Sequence, residues 1–170
     1  MKRIFLVSFI FVFVTFSSFA HTNLYSFGVD MKYFIKKTDV ASFDIFAGAT
    51  RFYDKDDIKK QIVPIFDGQV GASFTSSGIG VYTQLTGGIS YRPIELLIFN
   101  TSLGGRATGL WNSDFSYVIF PDVFDFDGIL DTSITLNFWY FIGVKFGHTL
   151  FFGTSGAGGM PYIAITTSFK

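Results

Sequence analysis

The stretch Tyr25–Ile35 has the sequence YSFGVDMKYFI and decides the fold. Its odd-numbered positions are all apolar or aromatic, whereas its even-numbered positions up to Lys32 are small, polar or charged. Successive side chains of a β-strand point to opposite faces. This stretch therefore predicts a strand with one apolar face and one polar face.

The same alternation recurs along the chain and predicts seven further strands. They are Ala41–Tyr53, Ile65–Phe74, Gly80–Tyr91, Ile94–Arg106, Ile129–Tyr140, Ile142–Phe152 and Pro161–Phe169. The boundary between the sixth and seventh strands, within Trp139–Gly143, carries no strong turn signal. A ten-stranded arrangement stays open as an alternative, in which Phe115–Phe126 forms its own hairpin around Pro121.

The first twenty residues have the three parts of a secretion signal. A basic start precedes the apolar run Ile4–Phe16, and Ser18 and Ala20 are the small residues that a signal peptidase reads. The apolar run is shorter than the roughly 20 residues that a membrane-spanning helix needs. We expect cleavage after Ala20, which leaves residues 21–170 as one domain.

Composition narrows the class of protein. Cleavage removes Lys2 and Arg3 from the 13 basic residues and none of the 13 acidic residues, so 11 basic side chains face 13 acidic ones. This small negative charge argues against a nucleic-acid partner. Charged residues make up only 15% of the chain, against about 25% in a typical soluble domain, and aromatic residues reach 20%. A soluble protein of this composition would expose large apolar patches.

A closed membrane barrel satisfies these constraints together. Beyond the export segment no stretch approaches 18 consecutive apolar residues, so spanning helices are not expected. A barrel satisfies every backbone N–H and C=O group within lipid because its sheet has no edge. A soluble barrel with its apolar row inside is the alternative. Its outer row would be rich in Lys and Glu, whereas the polar row here is mostly Gly, Ser, Thr, Asn and Gln, which suits a narrow interior.

The domain resembles the small bacterial outer-membrane β-barrel proteins. The resemblance rests on the export signal, about eight alternating segments, and a last strand with Ile163, Ile165 and Phe169 in one row. It implies that the barrel-assembly machinery recognises the C-terminal strand, although Lys170 leaves Phe169 penultimate. It also implies that both termini face the periplasm. Strand count then places the connection Asp54–Gln61 on the periplasmic side, where turns are usually short.

Charged residues fall in the polar, inward-facing row of the predicted strands. They are Asp30, Lys32, Asp44, Asp67, Arg106 and Lys145. In a narrow interior, opposite charges are expected to pair and close the lumen. The alternative is a conduction or binding path, because unpaired interior charges are costly and are usually retained for a task.

Alternation fails from Ala107 to Gly128, and strand count places this segment on the extracellular side. We interpret it as a partner-binding loop. It combines four aspartates with the aromatic residues Trp111, Phe115, Tyr117, Phe120, Phe124 and Phe126. The simpler interpretation is that the segment extends the barrel wall or folds over its mouth.

Three functions follow in order of preference. The first is a non-enzymatic barrel with a structural or surface-interaction role, and the second is a narrow channel or a conduit for small hydrophobic solutes. The third is a lipid-modifying enzyme. Small outer-membrane barrels that modify lipids use a His together with a Ser and an acidic residue, and a His-x-Ser spacing would support this resemblance. Here His148 is followed by Thr149 and Leu150, and it lies in the lipid-facing row.

The run Asp54–Asp57 lacks the central Gly of a calcium loop, so we predict a solvated turn, no metal and no cofactor.

Overall fold

The computed structural model describes residues 23–35, 40–53, 62–76, 78–94, 96–112, 123–139, 142–154 and 156–169. These residues form eight strands: β1 (Asn23–Phe34), β2 (Val40–Phe52), β3 (Ile62–Thr75), β4 (Gly78–Ile94), β5 (Leu97–Asn112), β6 (Val123–Trp139), β7 (Ile142–Gly153) and β8 (Gly156–Phe169). Each strand pairs antiparallel with its neighbours in the chain. β8 pairs back onto β1, and the sheet closes into a barrel.

The prediction of an eight-stranded antiparallel barrel is confirmed. The predicted boundary within Trp139–Gly143 is also present, since β6 ends at Trp139 and β7 begins at Ile142. Among the described strands, no additional pair separates β5 from β6, which pair directly with each other. The export segment and the candidate Asp54–Asp57 lie outside the described residues.

The up-and-down order divides the connections between the two ends of the barrel. The β1–β2, β3–β4, β5–β6 and β7–β8 connections lie at one end, which we call the outer end. The start of β1, the finish of β8 and the other three connections lie at the opposite end, which we call the terminal end. The connection Asp54–Gln61 joins β2 to β3 and therefore belongs to the terminal end, as strand count predicted.

Alternation sorts the side chains between the interior and the outer surface. The interior is mostly polar, and Ser, Thr, Asn, Gln and charged side chains are buried along every strand except the glycine-rich first half of β8. The outer surface exposes large apolar side chains along all eight strands; examples are Phe27, Ile45, Leu85, Leu103, Ile134, Phe146 and Ile165. Among the described residues, no helix is long and apolar enough to cross a membrane.

Aromatic side chains fill part of the interior at mid-height. Phe46, which breaks the alternation of its segment, packs against Tyr82, Tyr162 and Ala164. Its ring meets that of Tyr162 edge to face, with centroids 5.8 Å apart. Tyr162 in turn covers Gly147, where a Cβ atom would lie 2.2 Å from the tyrosine Cζ. Only glycine leaves room for this ring, because any side chain on β7 at that point would displace it.

The segment Ala107–Gly128 is more regular than the sequence predicted. β5 continues to Asn112 and β6 begins at Val123, so the β5–β6 connection is limited to residues 113–122. The outward-facing row of β5 contains Ala107 and Gly109 here. These small residues give no hydrophobic contrast with the polar row, which is why alternation could not be recognised in the sequence.

Candidate functional site: the barrel interior and the outer rim

All six charged residues that the sequence assigned to the interior are buried there, at no more than 8% exposure each. They come from five different strands, and cross-barrel contacts bring them together with partners that lie far apart in sequence. The contacts form three layers between the outer end and the terminal end.

The layer nearest the outer end joins β1 to β6. The Lys32 Nζ atom donates to the Asp127 carboxylate at 3.1 Å. The ammonium group also lies 4.3 Å from the centre of the Phe151 ring, within the range of a cation–π interaction. Asp127 was not among the predicted interior residues, because the sequence placed it in the irregular segment.

Arg106 occupies the middle layer and contacts four strands. Its guanidinium forms an ion pair with the Asp44 carboxylate and lies 3.9 Å from that of Asp30. It also stacks over the ring of Tyr82 at 3.5 Å and donates to the Met160 sulfur at 3.0 Å. A planar guanidinium suits this position because it offers five N–H donors in fixed directions and stacks on aromatic faces.

Hydrogen bonds from neighbouring side chains complete the middle layer. Ser73 donates to the Asp44 carboxylate at 2.6 Å, and the Tyr82 hydroxyl donates to the Asp30 carboxylate at 3.4 Å. Buried carboxylates need such donors, because a buried charge is tolerated only when it is both paired and hydrogen-bonded. Both carboxylates of the middle layer thus have a cation and a donor, supplied by residues of β1 to β5, while Asp30 Oδ1 and Arg106 Nε have no hydrogen-bond partner within the described part of the chain.

The third layer lies toward the terminal end and is built on Lys145. Its Nζ atom lies 3.6 Å from the Asp67 carboxylate across the barrel, and Thr50 donates to the same carboxylate. Asp131 sits beside this pair and accepts hydrogen bonds from Thr149 at 2.6 Å and from the Tyr162 hydroxyl at 3.0 Å. Lys145 and its neighbours therefore span the lumen from β7 to β3.

Sequence reasoning missed four interior residues that complete these layers: Tyr82, Asp127, Asp131 and Tyr162. The sequence could have placed Asp131 in the interior, because counting back by two from Ser133 puts this aspartate in the polar row. Tyr82 and Tyr162 could be placed in the same row from Gln84 and Thr166. Their aromatic character hid them, since an aromatic residue was assumed to face outward.

His148 lies on the outer surface of β7, away from the carboxylates of the interior. Its Nε2 atom forms a hydrogen bond with the Tyr33 hydroxyl at 2.9 Å, and its backbone carbonyl accepts from Thr132 at 3.2 Å. The barrel wall separates the imidazole from the interior aspartates, so a His–acid pair of the kind used in lipid-modifying barrels is not formed with them.

The outer rim carries part of the predicted partner-binding segment. Phe124 and Phe126 point outward on β6 and are 67% and 59% exposed, and Trp111 lies on β5 opposite Ile79. The three described aromatics therefore belong to strands rather than to a loop. The remaining aromatic residues, Phe115, Tyr117 and Phe120, lie outside the described residues.

No protein-family model and no curated protein matches the chain. Solved structures nevertheless match its fold, which is that of the small eight-stranded barrels of bacterial outer membranes. One is Ail, the attachment invasion locus protein of Yersinia pestis, with a TM-score of 0.62 at 11% identity over 88% of this chain and 98% of that chain.

Two other barrels show the same likeness. The N-terminal barrel domain of Pseudomonas aeruginosa OprF has a TM-score of 0.58 at 14% identity, covering 88% of this chain and 100% of that one. Neisserial surface protein A has a TM-score of 0.55 at 7% identity, covering 88% and 97%. At these identities the likeness shows a shared fold, and it confirms the resemblance drawn from the sequence.

Proposed function

We propose that the protein is a non-enzymatic outer-membrane barrel that presents its outer rim to an extracellular partner while its interior stays closed. The observation that carries this proposal is the set of three ion-paired layers across the lumen, at Lys32–Asp127, Arg106–Asp44 and Lys145–Asp67. Each layer joins strands on different sides of the barrel. A narrow interior filled in this way provides shape and stability rather than a path for solutes.

The location follows from the outer surface and the fold. A girdle of exposed Phe, Ile, Leu and Val side chains around a closed sheet suits hydrocarbon, since closure of the sheet leaves no free strand edge among the eight described strands. The solved structures of this fold include outer-membrane proteins of bacteria. We propose that residues 1–20 direct export and are removed. We further propose that the last strand, with Ile163, Ile165 and Phe169, is recognised by the barrel-assembly machinery.

The chemistry of the outer end favours a basic or apolar partner. Phe124 and Phe126 are exposed beside Asp125, and the connection 113–122 adds two aspartates and three more aromatic residues without a single basic one. Ail has been solved in complex with a heparin analogue, sucrose octasulfate. The β1–β2 connection at the same end carries Lys36 and Lys37, but the β5–β6 side of the rim is acidic and aromatic and repels such a polyanion. We therefore propose that the β5–β6 side binds positively charged partners.

Conductance and binding measurements test the two halves of the proposal. Purified protein in a planar bilayer should show no defined single-channel steps, since each ionic layer closes the lumen. Regular steps would overturn the closed interior and favour the narrow channel.

Protein in nanodiscs should bind polylysine but not heparin, and the double substitution Asp125→Asn with Phe126→Ser should weaken the binding of polylysine. Retention of heparin alone would overturn the proposed partner chemistry.

A further inference from the structure

Proline 161 interrupts the seam at which the barrel closes. The N–H of Ile35 donates to the carbonyl of Ala157 at 3.0 Å, which fixes the positions where β1 and β8 exchange hydrogen bonds. Hydrogen-bonded pairs recur at every second residue of an antiparallel ladder, and counting from Ile35 and Ala157 makes Met31 and Pro161 one of these pairs. Proline has no N–H, so one of the two hydrogen bonds cannot form. The paired residues of the two strands accordingly run as far as Asp30–Tyr162 and resume only at Tyr33–Gly159.

The other prolines of the described strands do not weaken a ladder in this way. Pro64 lies at the start of β3, beyond the last paired residues of β2 and β3, and its carbonyl accepts from the N–H of Tyr53 at 3.1 Å. Pro93 lies at the terminal end of β4, within the irregularity between Tyr91 and Ile94. Prolines are normally confined to strand ends, edges and bulges. Pro161 differs from both because its missing donor falls inside the ladder.

A side-chain clasp crosses the seam on the outer surface. The Tyr33 hydroxyl of β1 and the His148 imidazole of β7 meet at 2.9 Å over the intervening strand β8. They meet above Gly159, where a Cβ atom would lie 2.5 Å from the hydroxyl oxygen and 2.6 Å from Nε2. The clasp therefore needs glycine at this position, and it holds β1 close to β8 where the backbone ladder resumes.

On the β8 side the interior behind the interrupted ladder is apolar, whereas on the β1 side Asp30 and Lys32 flank Met31 and point inward. Met160, which precedes Pro161, is buried with Ile129 and Phe151, and Phe34 packs against them. This cluster lies between the outer and middle ionic layers, since Phe151 contacts Lys32 and Met160 contacts Arg106. A separation of β1 from β8 at Pro161 would thus bring the surrounding hydrocarbon to this cluster on the β8 side, while Lys32 stays paired with Asp127 on the β1 side.

From this geometry we infer that the β1–β8 seam opens locally at Met31 and Pro161 and admits the hydrocarbon chain of a membrane lipid to the cluster around Met160. Local opening occurs where few hydrogen bonds hold an element, and this seam lacks one in the middle of its length. The clasp of Tyr33 and His148 limits the opening. The entry is lateral, so it is compatible with an interior that conducts nothing from end to end.

Methionine methyl groups on the two sides of the wall report directly on such entry. Met31 lies on the outer surface and is 48% exposed, whereas Met160 is 1% exposed inside. The full chain is labelled with 13C-methyl methionine in nanodiscs that contain a lipid with a doxyl group on its acyl chain. Met31 should be broadened in every sample because it faces lipid. The doxyl group also acts through the wall, which is one strand thick, so entry is measured as the ratio of Met160 to Met31 broadening and compared between variants.

Matched substitutions separate entry from general loosening of the fold. Tyr33→Phe and Gly159→Ala remove the clasp and should increase the broadening of Met160 at least twofold. Pro161→Ala restores the backbone donor and should reduce it. Gly87→Ala and Pro64→Ala are the controls, because a Cβ atom at Gly87 has no neighbour within 4 Å and Pro64 lies beyond the last paired residues of β2 and β3, far from the seam. A ratio of Met160 to Met31 broadening that is the same in the unsubstituted protein, Tyr33→Phe and Pro161→Ala would overturn the inference. Equal effects of the control substitutions would also overturn it.

Discussion

Arg106 on β5 and Asp44 on β2 form an ion pair across the barrel interior, and neither side chain is more than 2% exposed. Asp30 of β1 faces the same guanidinium. The Arg106 side chain thus connects β5 to β1 and β2. Ser73 donates to Asp44 and extends this network to β3. The pair is the centre of the middle ionic layer and the natural place to test its contribution.

Removal of Arg106 should destabilise the barrel strongly. Arg106→Met leaves the buried Asp44 and Asp30 carboxylates without their cation, and breaking a buried pair in this way costs about 3–5 kcal/mol. We expect the free energy of unfolding, measured by urea titration in lipid vesicles, to fall by that amount. Replacing both partners, with Arg106→Met and Asp44→Leu, should recover part of the loss.

Asp125→Asn provides the control for this measurement. Asp125 accepts a hydrogen bond from Thr154 in an exposed setting, so its substitution should change the free energy of unfolding by about 0–1 kcal/mol. If Arg106→Met were no more harmful than Asp125→Asn, the middle ionic layer would not stabilise the barrel.

Cysteines on the outer face should react from the lipid phase. Val29, Ile45 and Leu136 lie in the outward row of β1, β2 and β6, and Ile45 and Leu136 are 50% and 38% exposed. Cysteine at any of these positions should react with an apolar maleimide that partitions into the bilayer and not with a charged, water-soluble one. Cysteine at Phe124, on the outer rim, should react with the water-soluble reagent. Ready labelling of the first three by the charged reagent would show that the apolar face is wet.

Loss of the His148 imidazole should leave membrane lipids unchanged. The side chain lies outside the barrel with Tyr33 as its partner, and the interior carboxylates are on the other side of the wall. Mass spectrometry of lipid A from bacteria that produce the unsubstituted protein or His148→Ala should give identical spectra. A lipid product that disappears in His148→Ala and persists in Tyr33→Phe would instead identify an enzyme.

Proteases added to intact cells should distinguish the two ends of the barrel. Trypsin should cut at Lys36 or Lys37, in the connection between β1 and β2 at the outer end, and spare the lysines of Asp54–Gln61 at the terminal end. Chymotrypsin should cut within residues 113–122 at Phe115, Tyr117 or Phe120. Fragment masses report each cut. Cleavage at Lys55, Lys59 or Lys60 before the outer membrane is opened would mean that the orientation is inverted.

The sequence by itself determined the class of fold. Strict alternation over Tyr25–Ile35 and the later segments fixed which side chains share a face, because the period of two follows from strand geometry alone. The polar row, which is mostly Gly, Ser, Thr, Asn and Gln, was then placed inside a narrow barrel because a water-facing row would be rich in Lys and Glu. The same counting put Asp30, Lys32 and Asp44 in the interior row, since their positions depend only on local periodicity.

Only the tertiary structure decided which interior residues meet. Lys32 and Asp127 are 95 residues apart, and their contact depends on barrel closure and on the register between non-neighbouring strands, which no local pattern encodes. The structure also places Trp111 and Phe124 on strands rather than in a loop. The sequence did not predict this, because Ala107 and Gly109 gave the alternation no contrast. Pro161 is visible in the sequence, yet the consequence of its missing N–H depends on which neighbour it faces. Because β8 closes onto β1, the missing hydrogen bond lies at the seam, opposite Met31 and next to the clasp of Tyr33 and His148.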